Sequence, residues 1–196
     1  MAAETLFLTG FSDGKCSFIV SIYKNSEYKL GWAVSPVFKI KLHLRDRPLK
    51  INHFFGVGNL SIGTDYVKYS VNSIKDITKV IIPHFMQYPL VTKKEPLLTG
   101  RRRRTLKRGC FAPDFELFKL VVELMDQKEH REPLGGAHDV HLPLGAEHLT
   151  IEGINKIASL KASMNRGLSE KFKPGFPNII PVERPIVEKT ETNDPD

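Results

Sequence analysis

Residues 6–24 (LFLTGFSDGKCSFIVSIYK) constrain the fold more than any other part of the chain. Their first half predicts a short helix, on which Gly10 and Gly14 lie one turn apart, so its backbone can approach another helix closely. Their second half alternates in polarity, which predicts a strand with two different faces. Phe18, Val20 and Ile22 form the apolar face, and the opposite face carries Ser17, Ile19, Ser21 and Tyr23.

Two β-hairpins are predicted from this alternation. A second extended segment, at about residues 28–44, places Phe38, Ile40 and Leu42 on its apolar face, and the other face holds Ser35, Val37, Lys39 and Lys41. A hairpin around residues 63–65 repeats the division in its return strand, where Lys68, Ser70 and Asn72 lie away from the core. A basic face of this kind fits a nucleic-acid groove. A solvated outer face of an antiparallel sheet would show the same alternation, so both interpretations stay open.

Helices are predicted over residues 46–54, from Ser73 onward, and over residues 114–128 and 150–163. Ser73 and Thr150 are the expected N-caps of two of them. Residues 174–187 are too rich in proline for a helix or a central strand, so we expect them to run extended over the surface. Residues 188–196 have the composition of a disordered tail.

Composition restricts the class of protein. The chain has 196 residues, a net charge of +7 and a pI near 9.4, which fits a polyanionic partner or simply a basic soluble protein. No apolar run is long enough for a membrane helix, and no signal peptide is recognisable. Segments 96–113 and 131–148 lack any period and interrupt stretches that otherwise continue smoothly, so both are interpreted as insertions. The histidines of the second segment match no standard metal-binding spacing.

Several motifs together resemble the LAGLIDADG homing endonucleases of fungal organellar introns. They are LTGFSDG at residues 8–14, FFGVG at 54–58, IPHF at 82–85, FKLVVELM at 118–125 and IASLKASMN at 157–165. The resemblance covers nearly the whole chain and implies an α+β fold of αββαββα order. In that fold a saddle-shaped antiparallel sheet is covered by helices on one face and lies on double-stranded DNA in the major groove. The resemblance thus implies one domain over residues 1–187.

The resemblance also implies an activity. Two such units, in one chain or in a homodimer, would pack through the helix of residues 4–14, with Gly10 and Gly14 at the contact. An acidic residue at the helix end would bind Mg²⁺ for hydrolysis of DNA phosphodiester bonds. The family further implies that the protein is encoded and located in the mitochondrion. The nucleic-acid-binding residues would be those of the polar strand faces, namely Ser17, Ile19, Ser21, Tyr23, Ser35, Val37, Lys39, Lys41, Lys68, Ser70 and Asn72.

This chain departs from the family pattern at the metal position. Lys15 stands where the family has its metal-binding acid, and Cys16 stands where a glycine is usual. An ammonium group repels Mg²⁺ and cannot ligate it, which leaves the Gly14 carbonyl as a weak ligand. The chain resembles the first half of a two-motif member, without a second motif. We therefore expect DNA binding without cleavage, and the alternatives are an RNA-binding intron maturase or a structural component of a ribonucleoprotein.

Overall fold

Strands β1 (Cys16–Lys24) and β2 (Trp32–His43) form the first predicted hairpin. The computed structural model describes residues 9–10, 12, 14–28, 30–43, 49–90, 112–126, 131–132, 148–164, 167–170 and 172–186. Strand β2 begins at Trp32 rather than near residue 28, because a loop closed by a hydrogen bond between Asn25 and Gly31 precedes it. In this loop the Asn25 N–H donates to the Gly31 carbonyl over 3.0 Å, and Gly31 takes a φ of 68° that favours glycine.

The second hairpin joins the first through its return strand. Strands β3 (Asn59–Ile62) and β4 (Tyr66–Val71) are antiparallel, and β4 also pairs with β2. The sheet has four strands in the order β1-β2-β4-β3. This arrangement confirms the predicted antiparallel sheet and places β2 and β4 at its centre.

Helices lie on one face of this sheet. Helix α1 (Leu49–Phe55) follows β2, and the residues predicted to begin it, 46–48, lie outside the described part of the chain. Helix α2 is continuous through three segments, Ile74–Asp76, a π-helical turn at Ile77–Ile81, and Ile82–Gln87. Helices α3 (Ala112–Asp126) and α4 (Ile151–Ser163) complete the layer. Ser73 and Thr150 cap α2 and α4 as predicted, through hydrogen bonds from Asp76 N and Gly153 N.

The core lies between the apolar sheet face and the helices. The Phe18 ring lies 5.4 Å from that of Phe38 on the sheet. It also lies 5.1 to 5.5 Å from three helix rings, those of Phe85, Phe115 and Phe118. Buried rings in tilted and edge-to-face contact contribute more than their area alone. The alternation in β1 therefore decides which sheet face receives the helices.

The residues before β1 and those after α4 complete the described chain. Residues 9, 10, 12, 14 and 15 are helical and lead directly into β1. At the other end, a 3₁₀ turn (Lys173–Gly175) is followed by a segment without helix or strand over residues 179–186, in accord with its proline content. Trp32 packs against Phe172 and Phe176 of this region, at ring distances of 5.7 and 5.1 Å. Residues 188–196 lie outside the described part of the chain.

The two proposed insertions are described only in part. Segment 96–113 lies outside the described residues except for its end, where α3 begins at Ala112. At the second segment, strands β5 (Arg131–Glu132) and β6 (His148–Leu149) pair with each other. The pairing brings the two ends of that segment together, and its interpretation as an insertion stays a prediction.

Candidate nucleic-acid interface

The sheet face opposite the helices carries polar side chains from all four strands, and we call it the polar face. It includes the residues predicted to bind nucleic acid, namely Ser17, Ile19, Ser21, Tyr23, Ser35, Val37, Lys39, Lys41, Lys68, Ser70 and Asn72. All eleven are half-buried or exposed, whereas the residues that alternate with them are buried, from Cys16 to Ile22 on β1 and from Val67 to Val71 on β4. The structure therefore brings the ten strand residues among them to a single surface, and Asn72 follows directly after the end of β4. Their binding role stays a prediction.

Cross-strand register arranges the polar face in rows. One row runs from Ser17 through Lys39 and Ser70 to Asn59, and crosses all four strands. The next row contains Lys41, Lys68 and Ser61. Directly opposite residues in antiparallel strands have Cβ atoms roughly 4.5–5.5 Å apart, so each row is a set of side-chain neighbours.

Three lysines of adjacent rows, Lys39, Lys41 and Lys68, form what we call the lysine cluster. Lys41 stands directly opposite Lys68, and like charges in this position destabilise a sheet. Partial burial lowers the pKa of Lys39, and the charges of Lys68 and Lys41 lower it further. The cluster is a concentration of positive charge that favours an anion above it.

Tyr66 gives one of these lysines a defined place. The Lys41 Nζ lies 3.8 Å from the centroid of the Tyr66 ring, within the range of a cation–π contact. Tyr66 belongs to the polar face because it precedes Lys68 by two residues on β4, and it pairs with His43. Its ring is 38% exposed, so a ligand on the polar face can reach this pair.

The other end of the polar face has a different chemistry. Ile19 stands opposite Val37, and Ser21 stands opposite Ser35. None of these four side chains carries a charge. The polar face is thus divided into a cationic end near the start of β1 and an uncharged end near the β1–β2 loop.

The junction between the N-terminal helical residues and β1 is the place where the family resemblance expects a metal. Gly14 and Lys15 are both exposed there, and Cys16 begins β1 fully buried in the core. Asp13 lies outside the described residues. Among the residues that the structure does describe, no group of three or more His, Cys, Asp or Glu side chains could hold a metal ion. The interpretation of Lys15 as the position of a lost metal-binding acid stays a prediction.

Three residues of the polar face were not predicted from the sequence. Tyr66 shares the period-two spacing of Lys68 and Ser70, so the alternation of β4 could have identified it. Asn59 and Ser61 lie on β3, whose four residues are too few to define a face by alternation. Only the pairing of β3 with β4 places them beside Ser70 and Lys68.

Comparison with known sequences agrees with this geometry. The LAGLIDADG endonuclease family matches residues 8–96. The probable intron-encoded endonuclease 2 of Neurospora crassa is 36% identical over 187 residues, which are 93% of this chain and 34% of that protein. The probable intron-encoded DNA endonuclease 1 of Mycosarcoma maydis is 30% identical over 127 residues, which are 65% of this chain and 41% of that protein.

Solved structures show the same likeness. The I-SmaMI LAGLIDADG homing endonuclease bound to cleaved DNA superposes with a TM-score of 0.74 at 34% identity, over 97% of this chain and 53% of that chain. The LAGLIDADG meganuclease I-CpaMI bound to uncleaved DNA gives a TM-score of 0.73 at 34% identity, over 97% of this chain and 54% of that chain. The chain thus spans about a third of the Neurospora relative and about half of each solved structure.

Proposed function

Because the chain belongs to the LAGLIDADG endonuclease family, we propose that its polar face binds double-stranded DNA in the major groove. One observation carries the proposal, the direct pairing of Lys41 with Lys68 beside Lys39. A sheet gains no stability from like charges in this position, whereas DNA phosphates and the acceptor edges of bases would neutralise them. The structures bound to DNA among its neighbours support duplex DNA as the partner.

Loss of cluster lysines tests this proposal. We expect Lys39→Ala and Lys41→Ala each to weaken binding to duplex DNA at low salt. If the lost lysine contacts a phosphate, the slope of log affinity against log salt should also fall by about 0.9. Fluorescence anisotropy with labelled duplexes would measure both quantities. Lys75→Ala is the matched control, because Lys75 is an exposed lysine of α2 rather than of the sheet. Affinity that is unchanged in both sheet variants would contradict the proposal.

Structured RNA is the alternative partner, in the role of an intron maturase or of a structural ribonucleoprotein component. The lysine cluster would attract any polyanion, and a protein that only binds RNA needs no acid at position 15. Competition between labelled duplex DNA and structured RNA distinguishes the partners. Displacement of the duplex by RNA at equal or lower concentration would favour the RNA-binding function.

Cleavage activity is a separate matter, and we propose that this chain is deficient in it. The family reaction uses Mg²⁺ held by acids at the helix ends, and Lys15 does not fit that role because an ammonium has no lone pair to donate. Wild-type protein should therefore fail to nick duplex DNA at any Mg²⁺ concentration. Mg²⁺-dependent cutting by the wild-type chain would overturn this proposal.

The variant Lys15→Glu tests whether the missing acid alone prevents cleavage. Cleavage restored by this change would show that the acid alone was missing. A Lys15→Glu variant that binds DNA but still does not cut would point to the second half that the family requires. Nicking of a supercoiled plasmid detects either result, because a single break changes its mobility.

Two further proposals follow from the family. Two copies could pair through residues 4–14, since Gly10 and Gly14 are exposed and a Cβ on either would meet nothing within 4 Å in the single chain. Sedimentation of the wild type beside Gly10→Leu tests the pairing, and a monomeric wild type would refute it.

A mitochondrial location is proposed because the relatives are intron-encoded. Within the described residues, no helix is long and apolar enough to cross a membrane.

A further inference from the structure

Gly63, Tyr66 and Lys41 form a stacked unit at the cationic end of the polar face. They come from the β3–β4 turn, from β4 and from β2. The Gly63 N–H donates to the Tyr66 carbonyl over 2.7 Å, which closes the turn. The Lys41 ammonium lies 3.8 Å from the centroid of the Tyr66 ring.

The ring explains why residue 63 is a glycine. Gly63 is not among the described glycines with positive φ, so its backbone conformation does not require glycine. A Cβ at this position, however, would lie 2.8 Å from both Cε1 and Cζ of Tyr66, closer than side chains pack. The missing Cβ therefore leaves room for the Tyr66 ring to lie against the turn.

The ring in turn sets Lys41 apart from the other two cluster lysines. A lysine side chain carries its ammonium group on a flexible stem of four carbons, so it usually acts as a mobile point charge. Attraction to the π face restricts where the Lys41 ammonium stays, while its remaining N–H groups are free to donate. Among the described residues, Lys39 and Lys68 lie over no aromatic ring. Lys41 is consequently the cluster donor with a defined position.

A donor in a defined position can distinguish bases. In the major groove guanine presents two acceptors, O6 and N7, whereas adenine pairs its N7 acceptor with an amino donor. An ammonium is favoured beside the first pattern and disfavoured beside the second. A mobile lysine follows the phosphates instead, which are the same for every sequence.

We infer that Lys41, held over Tyr66 in the space left by Gly63, selects guanine at one base pair of the bound duplex. This inference rests on the proposed binding of DNA by the polar face and names the residue that determines specificity there. Lys39 and Lys68 then contribute affinity that is largely independent of sequence.

Selection from a randomised duplex pool with the full chain tests the inference. The wild type should prefer guanine over adenine at one position by about 5- to 150-fold, the range of a good side-chain-to-base contact. Lys41→Met should abolish that preference. Tyr66→Leu and Gly63→Ala should each reduce it by about two- to fivefold, which corresponds to a cation–π contact at an exposed site.

Matched variants separate selection from charge and from folding. Tyr66→Phe keeps the ring and should keep the preference. Lys68→Met should weaken binding to all duplexes and leave the preference unchanged. Circular dichroism of each variant confirms that the chain is folded, and Tyr66→Leu and Gly63→Ala change the ring contact in independent ways.

Two results would overturn the inference. One is a guanine preference that survives Lys41→Met, and the other is a preference that disappears equally in Lys68→Met. If the wild type selects no duplex at all, the proposed DNA binding fails together with this inference. Sequence-independent binding by the wild type would instead refute the inference and leave the proposed function intact.

Discussion

Thr9 Oγ1 lies 3.2 Å from His84 Nε2, so one hydrogen bond joins the N-terminal helical residues to α2. The imidazole is half-buried and surrounded by aromatic rings, with that of Phe85 at 4.9 Å and that of Phe55 at 5.2 Å. These surroundings favour the neutral ring. A change in the protonation of His84 would therefore affect the hydrogen bond that joins the segment proposed for dimer contact to α2.

Stability should depend on the protonation of His84. Burial lowers the pKa of His84 below its ordinary 6.5, so the unfolded chain binds this proton more readily than the folded chain. The contribution is fully present above pH 6.5 and is lost as the pH falls from 6.5 to the lower pKa of the folded state. Urea denaturation between pH 7.5 and 5 measures it.

His84→Gln should flatten that pH dependence, because the group that titrates differently in the two states is gone. His53→Gln is the control, since His53 is an exposed histidine of α1. A pH profile that is the same in His84→Gln as in the wild type would show that another group is responsible.

Ser12 and Ser73 should respond in opposite directions to the same substitution. The Ser12 hydroxyl is fully buried and has no hydrogen-bond partner among the described residues, whereas Ser73 Oγ accepts from Asp76 N at the start of α2. Ser12→Ala should raise the free energy of unfolding by about 1 kcal/mol, and Ser73→Ala should lower it by about 1 kcal/mol. Chemical denaturation of both variants checks the signs. Destabilisation by Ser12→Ala would mean that its hydroxyl has a partner in solution.

The ion pair between Asp114 and Arg184 should hold the C-terminal segment on α3. Arg184 Nη2 lies 2.7 Å from Asp114 Oδ1, and the Asp114 side chain is only 4% exposed. Arg184→Met should lower the free energy of unfolding by about 1–2 kcal/mol, because a buried carboxylate loses a charged donor. The exposed pair of Lys173 with Glu170 is the matched control, and Lys173→Met should change stability by less than about 0.5 kcal/mol. Equal effects of the two changes would contradict a structural role for Arg184.

Lys68 should reduce stability while it promotes binding. Lys68→Met removes the like charge opposite Lys41, so the free energy of unfolding should rise by about 0.2–1 kcal/mol at low salt. The gain should shrink in 1 M salt, where charges are screened over roughly 3 Å. Affinity for duplex DNA should fall in the same variant. A loss of both stability and affinity would show that Lys68 is required for folding, and would contradict a destabilising repulsion between Lys68 and Lys41.

Much of the fold could be predicted because local patterns report local structure. The alternation of β1 identifies the side that Phe18 presents to the helices, and the residue types at Ser73 and Thr150 identify two helix starts. Boundaries were less accurate. Strand β2 starts four residues later than about residue 28, because the 25–31 loop is closed by its own hydrogen bonds and by the conformation of Gly31. A composition pattern does not reveal that closure.

The strand patterns predicted the polar faces of two hairpins, and the family resemblance assigned both to one saddle-shaped sheet, but neither gave the register between their strands. Lys41 and Lys68 are far apart in the chain, and no periodicity states that β2 pairs with β4 rather than β3. Alternation alone could have placed Tyr66 on the polar face, but its contact with Lys41 joins two strands and could not be predicted. The reason for a glycine at position 63 likewise depends on how close the Tyr66 ring lies to it, which no sequence pattern reveals.

The sequence by itself determined the polarity of each strand face, the positions of two helix caps, the LAGLIDADG resemblance and the presence of Lys15 where that resemblance expects an acid. These depend on neighbours within a few residues, or on the identity of one residue. Only the tertiary structure decided that Lys41 faces Lys68 and rests on Tyr66, that Arg184 reaches Asp114, and that Thr9 meets His84. Each of those contacts depends on strand order and helix packing, which bring together residues that are distant along the chain.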